Sequence, residues 1–328
     1  MKETLENHTE ELHVNCYLTD FEAFNGAFYI VIFIISILGN GLLITAVVLY
    51  DNLKNVTTIF ILNLAVSDLI FAAILPFYAV DHLHQWVFGE FFCHSLKAAY
   101  SIGLHSGALI LTALSVGRFI FVIRKPKDSF RRKYVLGTCV AAWVIGITAS
   151  ITDAVNHEVV QLGFHYYCIE INPGGVAFYV KISLLFLSPF TIIVFCYSGI
   201  ILMVFRTTMR RKFRSVAMML CIVTVFFVCW GPYNVIQIIH YVYEPEECWK
   251  AERLNVAFNV LRIPAFAHCC MNPLLYMLSQ KMRKHLYRLC RCETRQSGNP
   301  EPCGQSTTVA QNVCYTTANS AVTIEEKI

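Results

Sequence analysis

The residues able to do chemistry in this sequence stand where charge is costly to keep. Asp68, Arg118, Lys181 and Arg262 interrupt long apolar stretches, as in LAVSDLIF around Asp68 and TALSVGRFIFV around Arg118. A charge held within a bilayer faces the interior of a helix bundle, finds a partner there, and marks a functional site by default. Cys16, Cys93, Cys168 and Cys248 suit disulfide chemistry on an oxidising side of a membrane. Nothing resembles a catalytic constellation, so an enzyme is not expected, and neither is a metal or a cofactor. His268-Cys269-Cys270 points in different directions on a helix, and His105 and His268 read as hydrogen-bonded core residues rather than metal ligands.

The elements that must hold these residues follow from composition. The chain has 328 residues, 56% hydrophobic and only 15% charged, with mean hydropathy +0.54. A soluble domain of this length would need far more polar surface. The organising stretch runs from Cys93 to Arg124, and between Ser101 and Ile123 its one charge is Arg118. A helix from Cys93 to Arg118 would be roughly 37 Å long, against a hydrocarbon core of about 30 Å. Cys93 can therefore sit at one membrane face and Arg118 at the other. Further apolar segments lie at about 26–50, 58–80, 134–155, 176–205, 215–243 and 254–279. The expectation is an all-α membrane protein, a seven-transmembrane helix bundle over 25–280. Pro76, Pro189, Pro232, Pro264 and Pro273 should kink its helices. The polar start MKETLENHTEELHVNCYLTD has no signal-peptide core, so the first span should act as its own insertion signal.

Orientation follows from Lys and Arg, which cluster at 124–133, at 206–214 and after the last span. These regions should share the cytoplasmic side. That leaves residues 1–24 as an extracellular acidic tail of a multi-pass plasma-membrane protein, with a glycosylation sequon at Asn7. A second sequon at Asn55 falls in an inner loop and reads as a chance match. The acids Glu3, Glu6, Glu10, Glu11, Asp20 and Glu22, with others near the outer ends of the spans, suggest an electrostatic funnel for a basic ligand. Nucleic acid is not an expected partner. The four outer cysteines allow three connectivities; in one, Cys93–Cys168 staples loop 156–175 to the central helix and Cys16–Cys248 ties the tail to the last outer loop. After the last span, KMRKHLYRLCRC suggests an amphipathic membrane-surface helix over 281–292, in contact with lipid, with Cys290 and Cys292 as palmitoylation candidates. Residues 293–328 have the composition of a disordered cytoplasmic tail.

Several motifs together resemble those of rhodopsin-like (class A) G-protein-coupled receptors. They are Gly39-Asn40, LAVSD ending in Asp68, Cys93, Arg118, Trp143, Pro189 with Tyr197, CWGP at 229–232 and NPLLY at 272–276. They fall in order on all seven segments. Within that class the chain resembles chemokine receptors, the lymphotactin (XC) type in particular, through LPFYA at 75–79, WVFGEFFC at 86–93, SITDAVNH at 150–157, CWGPYN at 229–234, Arg262 and AHCCMNPLLY at 267–276. The resemblance implies a basic chemokine-like protein ligand, a heterotrimeric G protein of the inhibitory type, and arrestin recruited by phosphorylated Ser and Thr of the tail. It implies ligand binding around Tyr29, Tyr78, Asp81, Tyr100, Asp153, Glu170, Lys181, Tyr233 and Arg262. It gives switching and coupling roles to Asp68, Arg118, Tyr197, Trp230, Asn272, Pro273 and Tyr276. A non-signalling scavenger receptor, or a receptor for another peptide or lipid, is the alternative. Tyr17, beside Asp20 and Glu22, is a candidate for sulfation.

Four departures from the family pattern stand out. Gly117 replaces the aspartate that normally precedes the third-span arginine, so Arg118 is expected to lose that partner and basal signalling to be raised. Gly103 and Gly107 stand where oxygen ligands would complete a sodium site at Asp68. Ile74 replaces a threonine near Pro76. Arg262 stands where a glutamate usually meets the ligand's amine, which would then have to find Asp81, Asp153 or Glu170.

Overall fold

The computed structural model describes residues 20–124, 126–171, 175–206, 210–243, 245, 247–277, 283–285 and 287–288. The first span is helix α1 (Glu22–Tyr50). The second is α2 (Val56–Ala73) continued by α3 (Leu75–Leu83). The ladder breaks at Ile74, where Pro76 supplies no N–H and the chain re-enters a helix with proline in its first turn. The Asn55 side chain accepts from Thr57 N at 3.1 Å, so the inner sequon serves as the N-cap of α2. The third span, α4 (Gly89–Arg124), is 36 residues long and the fourth, α5, is Asp128–Val155. A hairpin absent from the sequence expectation follows, β1 (His157–Leu162) with β2 (His165–Glu170), antiparallel and with Leu162 opposite His165. Gly163 turns it at φ 65°, a conformation that favours glycine.

The fifth span is divided. Helix α6 (Val176–Ile182) passes into a π-helical turn (Ser183–Leu187) and then into α7 (Ser188–Arg206). Pro189 follows that turn, and a proline clashes with the carbonyl four residues back. A widened turn relieves the clash, so the expected kink takes the form of a π turn. The sixth span, α8 (Arg210–Val242), carries Pro232 inside it, and the seventh, α9 (Cys248–Met277), carries Pro264 and Pro273. Among the described residues, six spans are long and apolar enough to cross a membrane, and Ser188–Met203 of the fifth is apolar but shorter. Large apolar side chains such as Leu38, Val140, Phe195 and Val228 face outward, as an apolar solvent allows.

The third span runs through the middle. The bundle end that holds Cys93 is termed outer below, and the end that holds Arg118 inner. A Cβ at Gly103 would lie 2.8 Å from Phe71 N, and one at Gly107 would lie 3.2 Å from Ser67 Oγ. Gly103 lets the third span approach the backbone of the second and Gly107 makes room for the Ser67 side chain, which accounts for the missing oxygen ligands near Asp68. Trp143 Nε1 donates to Asn63 Oδ1 at 2.9 Å and ties the fourth span to the second. Asn40 Nδ2 donates to the Cys269 carbonyl at 2.9 Å and ties the first to the seventh. At the inner end, Phe119 fills the space over Gly199 of the fifth span, where a Cβ would lie 2.5 Å from its ring.

The outer end is closed by covalent and polar links. Cys93 and Cys168 form a disulfide with Cα atoms 5.7 Å apart, one of the connectivities open to the sequence. Trp86 N donates to the Tyr166 carbonyl at 2.9 Å, Tyr166 N to Gln85 Oε1 at 3.1 Å, and Val159 N to Glu90 Oε2 at 3.0 Å. The hairpin is thus pinned to the loop ahead of α4 and to the first turn of α4 itself. Cys248 is also disulfide-bonded; Cys16, its expected partner, lies outside the described residues. So do Asn7, Tyr17, Cys290, Cys292 and the tail from 293 on. In the stretch after α9, Arg283, Lys284 and His285 are helical, and the His285 ring lies 5.7 Å from that of Tyr50.

The Gly199 contact carries a prediction. Gly199→Ala should lower the thermal stability of the purified protein by about 1–3 kcal/mol, because an added methyl must push Phe119 aside. Adding Phe119→Leu should recover most of that loss. Unfolding curves in detergent that left Gly199→Ala unchanged would show that the contact is looser than described.

Candidate functional site

Bundle geometry opens a cavity of about 430 Å³ toward the outer end. Every residue expected around a ligand lines it: Tyr29 from the first span, Tyr78 and Asp81 from the second, Tyr100 from the third, Asp153 from the fourth, Glu170 from the hairpin, Lys181 from the fifth, Tyr233 from the sixth and Arg262 from the seventh. Lys97, His82, Phe266 and Gln237 line it as well, and sequence reasoning passed over them. Lys97 lies four residues after Cys93, one helical turn further into the bundle. That spacing was the available signal. His82 follows Asp81 directly and lies beyond the apolar segment at 58–80. The floor is aromatic. Trp230 lies 5.8 Å from Tyr233, 6.4 Å from Phe266 and 5.3 Å from His268, ring centre to ring centre.

The charges in the cavity fall into two groups. On one side Lys181 forms an ion pair with Asp153, and Ser101 donates a hydrogen bond to the same carboxylate. Ser101 Oγ also lies 3.1 Å from His105 Nδ1, and His157 Nδ1 lies 2.7 Å from the backbone carbonyl of Asp153. Asp153 was expected to be open to a ligand amine; here it is already engaged by Lys181 from the facing span. In the hairpin, burial holds the Glu170 carboxyl above its ordinary value and lowers His157 to about 4. On the other side Arg262 lies 4.7 Å over the Phe258 ring, with Nη1 at 3.4 Å from His82 Nε2. The Tyr29 and Tyr233 phenols are within electrostatic reach of the same guanidinium. Lys97 Nζ lies 4.9 Å over the Tyr78 ring, and Asp81 lies within electrostatic reach of both cations.

Below the floor the buried polar groups form a chain toward the inner end. Asn272 Nδ2 donates to Asp68 Oδ2 at 2.7 Å, with both side chains buried. His268 Nδ1 lies 2.7 Å from the Ala265 carbonyl, so this ring is a hydrogen-bonded core residue. Tyr197 and Tyr276 are buried, and both phenols lie within electrostatic reach of Arg118. Pro273 sits inside α9 directly after Asn272. Arg118 was expected to be left without a partner beside Gly117. It is not: its Nη2 donates to Thr57 Oγ1 at 2.6 Å, across to the second span. The place of a side chain at 117 is taken by Tyr134. A Cβ there would lie 2.9 Å from the Tyr134 ring, whose hydroxyl donates to the Ala113 carbonyl at 2.9 Å. Among the described residues no cluster of three or more His, Cys, Asp or Glu could hold a metal ion.

This arrangement can bind and transmit, with a polar, aromatic cavity at one end of a kinked bundle and an anchored arginine at the other. Comparison with known proteins gives the same class. Residues 39–276 match the family described as 7 transmembrane receptor (rhodopsin family). The chain is 35% identical over 271 residues to Chemokine XC receptor 1 of Homo sapiens, covering 80% of each protein. It is 33% identical over 288 residues to Chemokine XC receptor 1 of Mus musculus, covering 85% of this chain and 87% of that one. With C-C chemokine receptor type 8 of Homo sapiens the identity is 32% over 271 residues, covering 79% and 76%. The family match runs from Gly39, beside the Asn40 tie, to Tyr276 near Arg118. Joined to a cavity at one end and a buried arginine at the other, that match makes this multi-pass membrane protein a member of the rhodopsin-like seven-transmembrane receptors, in the chemokine receptor family.

Proposed function

We propose that this receptor binds a small basic protein of the chemokine type and, on binding it, activates a heterotrimeric G protein of the inhibitory type. The observation that carries the reading is the packing of Trp230, which forms the cavity floor and also touches His268 and Phe226 beneath it. A ligand end that enters the cavity presses on the same aromatic cluster that the inner half of the bundle rests on. Differential contact with two arrangements of that cluster is what a ligand needs in order to shift their populations. Pro232, just after Trp230, gives the sixth span a hinge at that depth.

In this reading residues 1–24 lie outside the cell, where their acids gather a basic ligand. The inner loops and Arg118 meet the G protein in the cytoplasm. Residues 281–292 lie along the membrane surface, and the tail from 293 recruits arrestin once phosphorylated. The ligand contacts are Tyr29, Tyr78, Asp81, Tyr100, Asp153, Glu170, Lys181, Tyr233 and Arg262. Asp68, Tyr197, Trp230, Asn272, Pro273 and Tyr276 carry the switch inward to Arg118.

Basal activity is raised in this reading. Gly117 brings no carboxylate to Arg118, and the hydrogen bond that joins Arg118 to the second span ends on the neutral Thr57 hydroxyl. A bond from a charged donor to a hydroxyl restrains less than an ion pair between the same elements. The scavenger reading rests on Gly117 too, and exchange activity separates the two.

Two experiments test this. Receptor in nanodiscs with a purified inhibitory-type heterotrimer is screened against a panel of basic chemokines. At least one should bind and accelerate nucleotide exchange. Binding without acceleration would establish the scavenger reading, and no binding across the panel would overturn the ligand class. In the second, ligand-free exchange is measured on variants. Thr57→Ala should raise it several-fold, and Gly117→Asp combined with Tyr134→Ala, which makes room for the new side chain, should lower it. Rates that stay at the wild-type level in both would remove the restraint argument.

A further inference from the structure

Three cations and three acids line the cavity, yet they do not meet evenly. Lys181 has Asp153 in contact. Among the described residues no carboxylate forms an ion pair with Lys97 or Arg262. Asp81 is within electrostatic reach of both, but its Oδ1 is buried and accepts no hydrogen bond. Arg262 Nε is likewise buried and donates none. A guanidinium offers five N–H donors in a flat fork, and one edge of it, Nε with a terminal nitrogen, matches the two oxygens of a carboxylate. In Arg262 the Nη1 donor is directed at His82 and one face at Phe258. Nε itself is left over, while the Tyr29 and Tyr233 phenols lie beside the rest of the guanidinium. Cations carried this deep are costly unless something answers them.

We propose that Arg262 and Lys97, set among Tyr29, Tyr78 and Tyr233, form a carboxylate-binding subsite, so that the group the ligand brings to the base of this cavity is an acid and not an amine. The proposal rests on the reading of the cavity as the ligand site and deepens it. Phe266 stacks on Tyr29 at 5.2 Å between ring centres, giving the subsite an aromatic wall beside its cationic edge. That combination suits a carboxylate carried on a short apolar arm. The arm can belong to an aspartate or glutamate near the tip of a protein ligand, or to a free organic acid. The Lys181–Asp153 pair across the cavity then acts as a closed, neutral wall, and an amine-tipped ligand would have to break it.

The test uses full-length receptor in nanodiscs and reads thermal unfolding. The probes are 3-phenylpropionate, 3-phenylpropanamide and 3-phenylpropylamine at millimolar concentration. The carboxylate should raise the midpoint by about 2 °C or more, and the amide and amine should not. Each variant is compared with its own ligand-free midpoint, so a variant of altered stability still reports. Arg262→Gln should abolish the shift, and Lys97→Gln should reduce it. A shift of equal size with the amine, or one that survives Arg262→Gln, would overturn the proposal.

The source of the carboxylate is separated by a second arm. Any panel chemokine that binds is remade with the acids of its first residues changed to their amides. A loss of about tenfold or more on the wild type, absent on Arg262→Gln, assigns the carboxylate to the protein ligand. Unchanged affinity alongside a persisting 3-phenylpropionate shift assigns it to a free acid. The small-probe arm contains no chemokine, so failure of the chemokine reading and failure of the subsite are read independently.

Discussion

Hydrocarbon offers no hydrogen bonds, so each polar group carried into it must be answered from within the protein. Nearly every long-range polar contact here joins two different spans for that reason. Asp68 meets Asn272, Asn40 meets the Cys269 carbonyl, Trp143 meets Asn63, Lys181 meets Asp153 and Arg118 meets Thr57. Apolar packing between helices gives little preference over lipid. The polar ties therefore set which helix faces which, and glycines set how closely. Gly103, Gly117 and Gly199 all lie where a neighbouring backbone or ring occupies the space of a Cβ. The third span supplies two of those three and is the element that the others are fitted around.

The same constraint explains how a bundle held by buried ties can still switch. Ties at the outer end include a covalent and an ionic one, the Cys93–Cys168 disulfide and the Lys181–Asp153 pair. Among the described residues, those toward the inner end include hydrogen bonds with one charged partner, as with Thr57 and Asn272. The strongest ties thus lie at the outer end, and the sixth and seventh spans carry prolines within them.

The spans were legible because they rest on long apolar runs, which local sequence contains in full. The nine cavity residues were legible because the resemblance assigned them a depth and a face. What was not legible depended on distant neighbours. Thr57 is 61 residues from Arg118, and nothing in GRF announces it. Gly103 and Gly107 looked like missing oxygens until Phe71 and Ser67 proved to occupy that space. The engagement of Asp153 by Lys181, from 28 residues away, likewise belongs to packing. The hairpin HEVVQLGFHYYCIE was missed for a different reason. Its pattern is short and half polar, and its register follows from the tight turn at Gly163.

The π turn at Ser183–Leu187 has a consequence for comparing this chain with its relatives. A helix advances about 100° per residue, so a single extra residue in a turn re-aims everything beyond it by roughly that angle. Lys181 lies on the outer side of the turn and owes its heading to the added residue. Counting back from Pro189 along an ideal helix would turn that ammonium away from Asp153. A relative with one residue fewer between this lysine and the proline would carry the same letters and a cavity with one cation fewer, its Asp153 without an ion-pair partner.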